Sequence, residues 1–147
     1  MGDITHTDEM VGMVYKKLKE KNLLDDTMLI ILSDHGEPFG EHGTIRKYGV
    51  PAYNELSKMV FIIRYPGLIK KRRRNSSYVQ NVDILPTILD ILGVKIDEKI
   101  WKFGGKSLLP ILKGEEEKVR EAAFVGGFCL RSCLLYTSDA ADELDGV

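Results

Sequence analysis

Residues 27–36 read Thr27-Met-Leu-Ile-Ile-Leu-Ser-Asp-His-Gly36, and the fold turns on them. Met28, Leu29, Ile30, Ile31 and Leu32 leave no polar face, so as a strand they call for cover on both sides, the habit of a parallel sheet flanked by helices. The run closes with Ser33, Asp34 and His35. Two side chains able to ligate a metal therefore stand just past the carboxyl end of a strand, where open α/β sheets bind their ligands. A lone Asp-His pair would be no more than a turn cap; its surroundings decide whether it is more.

Upstream, Thr5 and Asp8 have the spacing of a capping box, and Val11, Val14, Tyr15 and Leu18 repeat at one helical face. Lys16, Lys17, Lys19 and Lys21 crowd the end of that face, and Asn22 suits the exit. A helix is predicted over about residues 7–21. Downstream, residues 38–58 carry Gly40, Gly43, Gly49 and Pro51 with neither helical nor strand period, and read as a long loop of the kind that is usually functional. Residues 59–64 form a second apolar strand closed by Tyr65-Pro66-Gly67. Asp83 is placed to cap a helix with Pro86 in its first turn, Leu85, Ile88, Leu89 and Leu92 on one face and Gly93 at the exit. A short helical piece over 107–112 and an edge strand over 122–128 follow. The order belongs to the α/β class.

The chain has 147 residues, the size of one domain, with 44% hydrophobic and 29% charged residues, an ordinary globular profile. Its apolar runs fall far short of the roughly 20 residues that cross a bilayer, so no membrane span is expected. A net charge of -1 gives no general attraction to polyanions. The basic run Lys70-Lys-Arg-Arg-Arg74 reads as a solvated loop with no aromatic interleaving, and no nucleic-acid partner is expected. Cys129 and Cys133 complete neither a zinc motif nor a disulfide framework. Residues 133–147 carry four acids and no Lys or Arg. Their run Cys133-Leu-Leu-Tyr-Thr-Ser-Asp-Ala-Ala-Asp-Glu143 resembles the translation of a transposon-derived sequencing adapter, and is set aside as a non-native tail. Residues 1–132 are then the domain-forming part.

Asp34 offers a carboxylate oxygen and His35 an imidazole nitrogen, a mixed pair that suits a divalent cation such as Ca²⁺, Mn²⁺ or Zn²⁺. Lys47 follows Asp34 by thirteen positions on the glycine-rich loop. A lysine held near a cation can pair as a point charge with a tetrahedral oxyanion. Taken alone, Lys47 would be a surface lysine and His42 a turn residue.

Together these residues carry a family pattern. The stretch Leu29-Ile-Ile-Leu-Ser-Asp-His-Gly-Glu-Pro-Phe-Gly-Glu-His-Gly43 resembles the SDHGExxGEHG segment of the sulfatase family within the alkaline phosphatase superfamily. Tyr65-Pro66-Gly67, Val82-Asp-Ile-Leu-Pro-Thr-Ile-Leu-Asp-Ile-Leu-Gly93 and Gly105-Lys-Ser-Leu-Leu-Pro-Ile-Leu-Lys-Gly114 follow in the family's order. The opening helix, with Asp8, Gly12 and Asp26-Thr27, is similar too. Four ordered motifs are far more specific than any one. Val60 departs from the family's usual proline.

The resemblance implies an alkaline-phosphatase-like fold, a mostly parallel sheet flanked by helices, here as a partial domain. It implies that Asp34 and His35 are metal ligands, with Ca²⁺ ahead of Mn²⁺ or Zn²⁺, and that Lys47 contacts the transferred group. Family members hydrolyse sulfate esters of small molecules or carbohydrates with a formylglycine nucleophile made in a CxPxR or SxPxR motif, beside two further aspartates. No such motif occurs in residues 1–147. Residues 1–132 are accordingly expected to be the C-terminal part of a sulfatase-type catalytic domain, inactive by itself. The competing expectations are a phosphodiesterase or phosphonate monoester hydrolase of the same superfamily, and a non-catalytic binding module that kept the fold.

Overall fold

The computed structural model describes residues 2–43, 45, 53–69, 72–95, 97, 104–126 and 131–135, the last five by backbone alone. In chain order they form α1 (Gly2–Glu20), β1 (Leu29–Leu32), a 3₁₀ turn (Glu41–Gly43), α2 (Asn54–Ser57), β2 (Phe61–Arg64) and a second 3₁₀ turn (Asn81–Asp83). Then come α3 (Ile84–Ile91), α4 (Leu109–Lys113), β3 (Ala122–Gly126) and β4 (Arg131–Leu135). Cys133, where the tail was expected to begin, is thus backbone of β4; residues 136–147 lie outside the described residues.

α1 begins five residues before the predicted start, so Thr5 and Asp8 lie within it rather than at its entry. Asp3 occupies its first turn, where negative charge suits the helix dipole. Its exit is as anticipated. Asn22 takes the left-handed conformation (φ 56), the Leu23 N–H reaches back to Leu18 O at 2.9 Å, and the Asn22 N–H bonds Lys19 O at 3.0 Å. That is a Schellman closure with asparagine in the glycine position. The predicted apolar face is largely open: Val14 and Tyr15 are exposed. The Arg64 guanidinium, 5.9 Å above the Tyr15 ring, ties the helix to β2.

β1 pairs with β2, Leu29 opposite Arg64 and Leu32 opposite Phe61, and the pairing is antiparallel. The expected parallel sense does not hold for this pair. A parallel pairing needs a crossover, usually a helix, that returns the chain to the end where it started. Between β1 and β2 the described helical pieces are three and four residues long, and the chain comes back into the sheet at the end it left. Leu32 and Ile62 are also exposed, 41% and 54%, rather than buried on both faces. Among the described residues, β3 and β4 form the other antiparallel pair.

The core lies elsewhere. Among the described residues, Leu24, Leu108, Ile111 and Ala123 are the buried apolar ones, with Asp83 and Thr87 buried among the polar ones. Asp83 was expected to cap α3 with its side chain, and it does not. Its carboxylate accepts instead from the backbone N–H groups of Gln80 and Lys106 and from both terminal nitrogens of Arg120. A fully buried carboxylate needs that many donors, and a bidentate guanidinium supplies charge and geometry together. Thr87 extends the network, donating to Asp83 O and accepting from Leu108 N–H. These bonds fasten α3 to α4 and to the chain entering β3.

Candidate metal and oxyanion site

The chain leaves β1 through a side chain that stands in for backbone. The Ser33 N–H donates to Val60 O at 3.1 Å, and the Val60 N–H donates to Ser33 Oγ at 3.0 Å. Three residues later the Gly36 N–H donates to Leu56 O of α2 at 2.8 Å. Gly36 must be glycine because a Cβ there would lie 2.0 Å from Glu55 O. The two-residue turn Asp34-His35 is therefore pinned at both ends, to the start of β2 and to α2.

Within the turn, Asp34 Oδ1 accepts from the His35 N–H at 3.0 Å, and Asp34 Oδ2 stands 3.4 Å from His35 Nε2. His35 Nδ1 lies 2.6 Å from Gly36 O and 4.0 Å from a Glu37 carboxylate oxygen. A carbonyl only accepts, so the Nδ1 contact places a proton on Nδ1. Nε2 faces the Asp34 carboxylate oxygen, a position that takes either an N–H donated to that oxygen or, in the neutral ring, a cation held between the two atoms. Adjacent ligands of one ion, each roughly 2.1–2.4 Å from it, stand about 3.0–3.4 Å apart. The donor set thus fits a divalent cation, with the Gly36 carbonyl orienting the imidazole as outer-shell partners do. Asp34 is 86% exposed and His35 32%, so the pair is open to solvent on the carboxylate side. Among the described residues no group of three or more His, Cys, Asp or Glu forms a fuller site.

The structure brings Asp34 and His35 together; Lys47 lies outside the described residues. The contacts of three contributors were not legible in the sequence, although His42 was read as a turn residue and does occupy one. The Ser33 hydroxyl continues the ladder, a role its place directly after an apolar strand hints at. α2 fell inside the predicted loop, because four residues are too short to show a period. His42 occupies a left-handed turn (φ 56, ψ 21) between Gly40 and Gly43, both also of positive φ. Its ring stacks on Tyr53, centroids 3.8 Å apart and planes 18° from parallel, and its Nε2 is 3.6 Å from Glu55 Oε2. Beside it, the backbone N–H groups of Glu41 and Phe39 hold the exposed Glu41 carboxyl below the usual carboxylate range.

A cleft of about 490 Å³ lined by Gly67, Leu68, Ile69, Arg73, Leu112, Lys113 and Glu115 shares no residue with this turn. It is lined by one arginine and by a lysine ion-paired with Glu115, beside apolar side chains.

Residues 1–94 match the sequence model of the family described as Sulfatase. An N-acetylglucosamine-6-O-sulfatase of Bacteroides thetaiotaomicron is 36% identical over 115 residues, which is 78% of this chain and 20% of that protein. A solved structure in complex with its substrate, D-glucosamine-2-N,6-O-disulfate, superposes with a TM-score of 0.76 at 32% identity, covering 90% of this chain and 28% of the other. The phosphonate monoester hydrolase of Agrobacterium radiobacter superposes with a TM-score of 0.70, also at 32% identity, covering 82% and 23%. The architecture is thus an alkaline-phosphatase-like α/β partial domain, and the chain spans about a fifth of the length of the curated relative it matches.

Proposed function

The chain belongs to the sulfatase family, and from that premise we propose that it supplies Asp34, His35 and Lys47 to the active site of a metal-dependent sulfuric ester hydrolase. One observation supports the metal assignment: the Asp34 carboxylate and His35 Nε2 stand 3.4 Å apart while Nδ1 is committed to Gly36 O. Asp34 and His35 would hold the cation, Ca²⁺ ahead of Mn²⁺ or Zn²⁺. When bound, it supplies charge compensation to the oxygens of a transferring sulfuryl group. Asp34 adds negative charge that anchors the ion, and the hydrogen bond from Nδ1 fixes the imidazole plane. Lys47, a compact cation on a flexible stem, pairs with the oxyanion as charge builds on its oxygens. The nucleophile, a formylglycine, and two further aspartates would come from outside residues 1–147, so this chain alone is expected to hydrolyse no sulfate ester.

The substrate class is a sulfate ester of a small molecule or carbohydrate, a reading supported by the related solved structure that holds a sulfated glucosamine. A phosphonate or phosphate ester is the second reading, favoured by the likeness to a phosphonate monoester hydrolase at equal identity. Turnover of 4-nitrophenyl sulfate against phenyl 4-nitrophenyl phosphonate by the full-length protein separates the two. In that protein Asp34→Ala should abolish measurable metal uptake and nearly all turnover, and near-normal values for both would remove the assignment. Lys47→Ala should slow turnover by about a hundredfold or more, as loss of one oxyanion contact does, while leaving metal affinity unchanged.

A further inference from the structure

We propose that His42 is a positioning residue that holds the Asp34-His35 turn from behind, acting through α2; the role rests on the metal reading above. α2 is a single helical turn, and one turn has no stability of its own, so contacts must fix where it sits. It is gripped from two sides. On one, the His42 ring stacks on Tyr53, and its Nε2 stands 3.6 Å from Glu55 Oε2. That carboxylate oxygen is buried with no hydrogen bond of its own, so the imidazole is the polar group set against it. On the other side, Glu55 O fills the space a side chain at residue 36 would need, and Leu56 O receives the Gly36 N–H. The next atoms along the chain are those of the Gly36 carbonyl, which orients the His35 ring.

The path is short and each step is a contact: His42 ring, Tyr53 and Glu55 side chains, Glu55 and Leu56 backbone, Gly36, His35 Nδ1. Loosening that ring frees α2 to shift, and the Gly36 carbonyl shifts with it.

The test uses the full-length protein and two readouts, hydrogen exchange at the Gly36 amide and affinity for Mn²⁺. His42→Asn keeps a residue that tolerates positive φ and removes both the stack and the pairing. His42→Phe keeps the stack alone, and Glu55→Gln keeps the acceptor but not its charge. For His42→Asn both Gly36 exchange and the Mn²⁺ dissociation constant should rise about tenfold, the usual size of an outer-shell loss, with His42→Phe in between. Exchange and affinity within about twofold of the unaltered protein in His42→Asn would overturn the proposal. Should His42→Asn not fold, His42→Phe and Glu55→Gln decide on the same criterion. If the unaltered protein takes up no Mn²⁺ and Asp34→Ala behaves identically, the metal reading falls, and the positioning role toward a metal falls with it. Normal Mn²⁺ uptake that Asp34→Ala abolishes and the His42 variants preserve overturns the positioning role alone.

Discussion

Gly36→Ala adds one methyl group to the turn that carries Asp34 and His35, and the structure gives the size of its effect. The new Cβ would lie 2.0 Å from Glu55 O, 2.9 Å from Glu55 C and 3.1 Å from Lys58 O. Against an ordinary contact near 3.4 Å, the first of these requires a shift of about 1.4 Å. All three atoms are backbone, so no rotamer change relieves the overlap. The chain can comply only by separating the turn from α2, which breaks the 2.8 Å bond from Gly36 N–H to Leu56 O. Overpacking costs about 1–3 kcal/mol and the lost bond about 1 kcal/mol, so the expected destabilisation is roughly 2–4 kcal/mol. The same methyl placed at Gly12, within α1 and with nothing in 4 Å, should instead stabilise by about 0.5–1 kcal/mol by removing a glycine from a helix interior. Urea unfolding of the full-length protein followed by circular dichroism measures both. A Gly36→Ala protein within about 0.5 kcal/mol of the parent, alongside a normally behaving Gly12→Ala, would refute the close approach of turn and helix.

Arg120→Ala should be more costly still, about 3–5 kcal/mol by thermal or urea unfolding, because it strands the fully buried Asp83 carboxylate; a loss below about 1 kcal/mol would show that Asp83 finds other compensation. Glu41 should titrate below the ordinary glutamate value near 4.3, since the N–H groups of Glu41 and Phe39 favour its charged form. Its lowered value means that its contribution to the loop is complete above about pH 4.3 and is lost as the pH falls through the folded-state value. A carbon-13 titration of the Glu41 carboxyl checks this, and a midpoint at or above the ordinary value contradicts it.

What the sequence disclosed and what it hid divide along a physical line. Apolar period, turn residues and end signals are local, and they located α1, β1, β2 and α3, with α1 starting five residues before its predicted start. Asn22 ended its helix as a left-handed closure because that choice involves only neighbouring carbonyls. The sense of the β1–β2 pair was hidden because Met28 to Leu32 look alike in either direction, and the deciding feature, the lack of a returning helix among the described residues, lies outside the strand. Asp83 was misassigned for the opposite reason. Its carboxylate does take one local N–H, that of Gln80 at the entry of the 3₁₀ turn, but Arg120, thirty-seven residues on, turns it inward and buries it with a full counter-charge. At the site, Asp34 and His35 stood out as residue types, whereas Gly36 and His42 act through α2, which no period announces.

On the proposed metal reading, the contribution of this chain is better described as geometry than as affinity. Two ligands hold an ion weakly, and one of the two proposed here, Asp34, is almost fully in water, where its attraction for a cation would be screened. Yet the backbone around it is fastened with unusual care for a surface turn. Ser33 spends its hydroxyl on the Val60 N–H, Gly36 is squeezed against Glu55, and the His35 ring is tethered by its own neighbour's carbonyl. Fastening of that kind does little for a turn that only needs to reverse the chain. It matters when donor atoms must meet other ligands at fixed distances, where an error of an ångström removes a ligand from the shell. The order of sensitivity follows: Gly36→Ala, which moves the turn without touching Asp34 or His35, should weaken metal uptake more than any His42 variant and less than Asp34→Ala, which removes a proposed ligand.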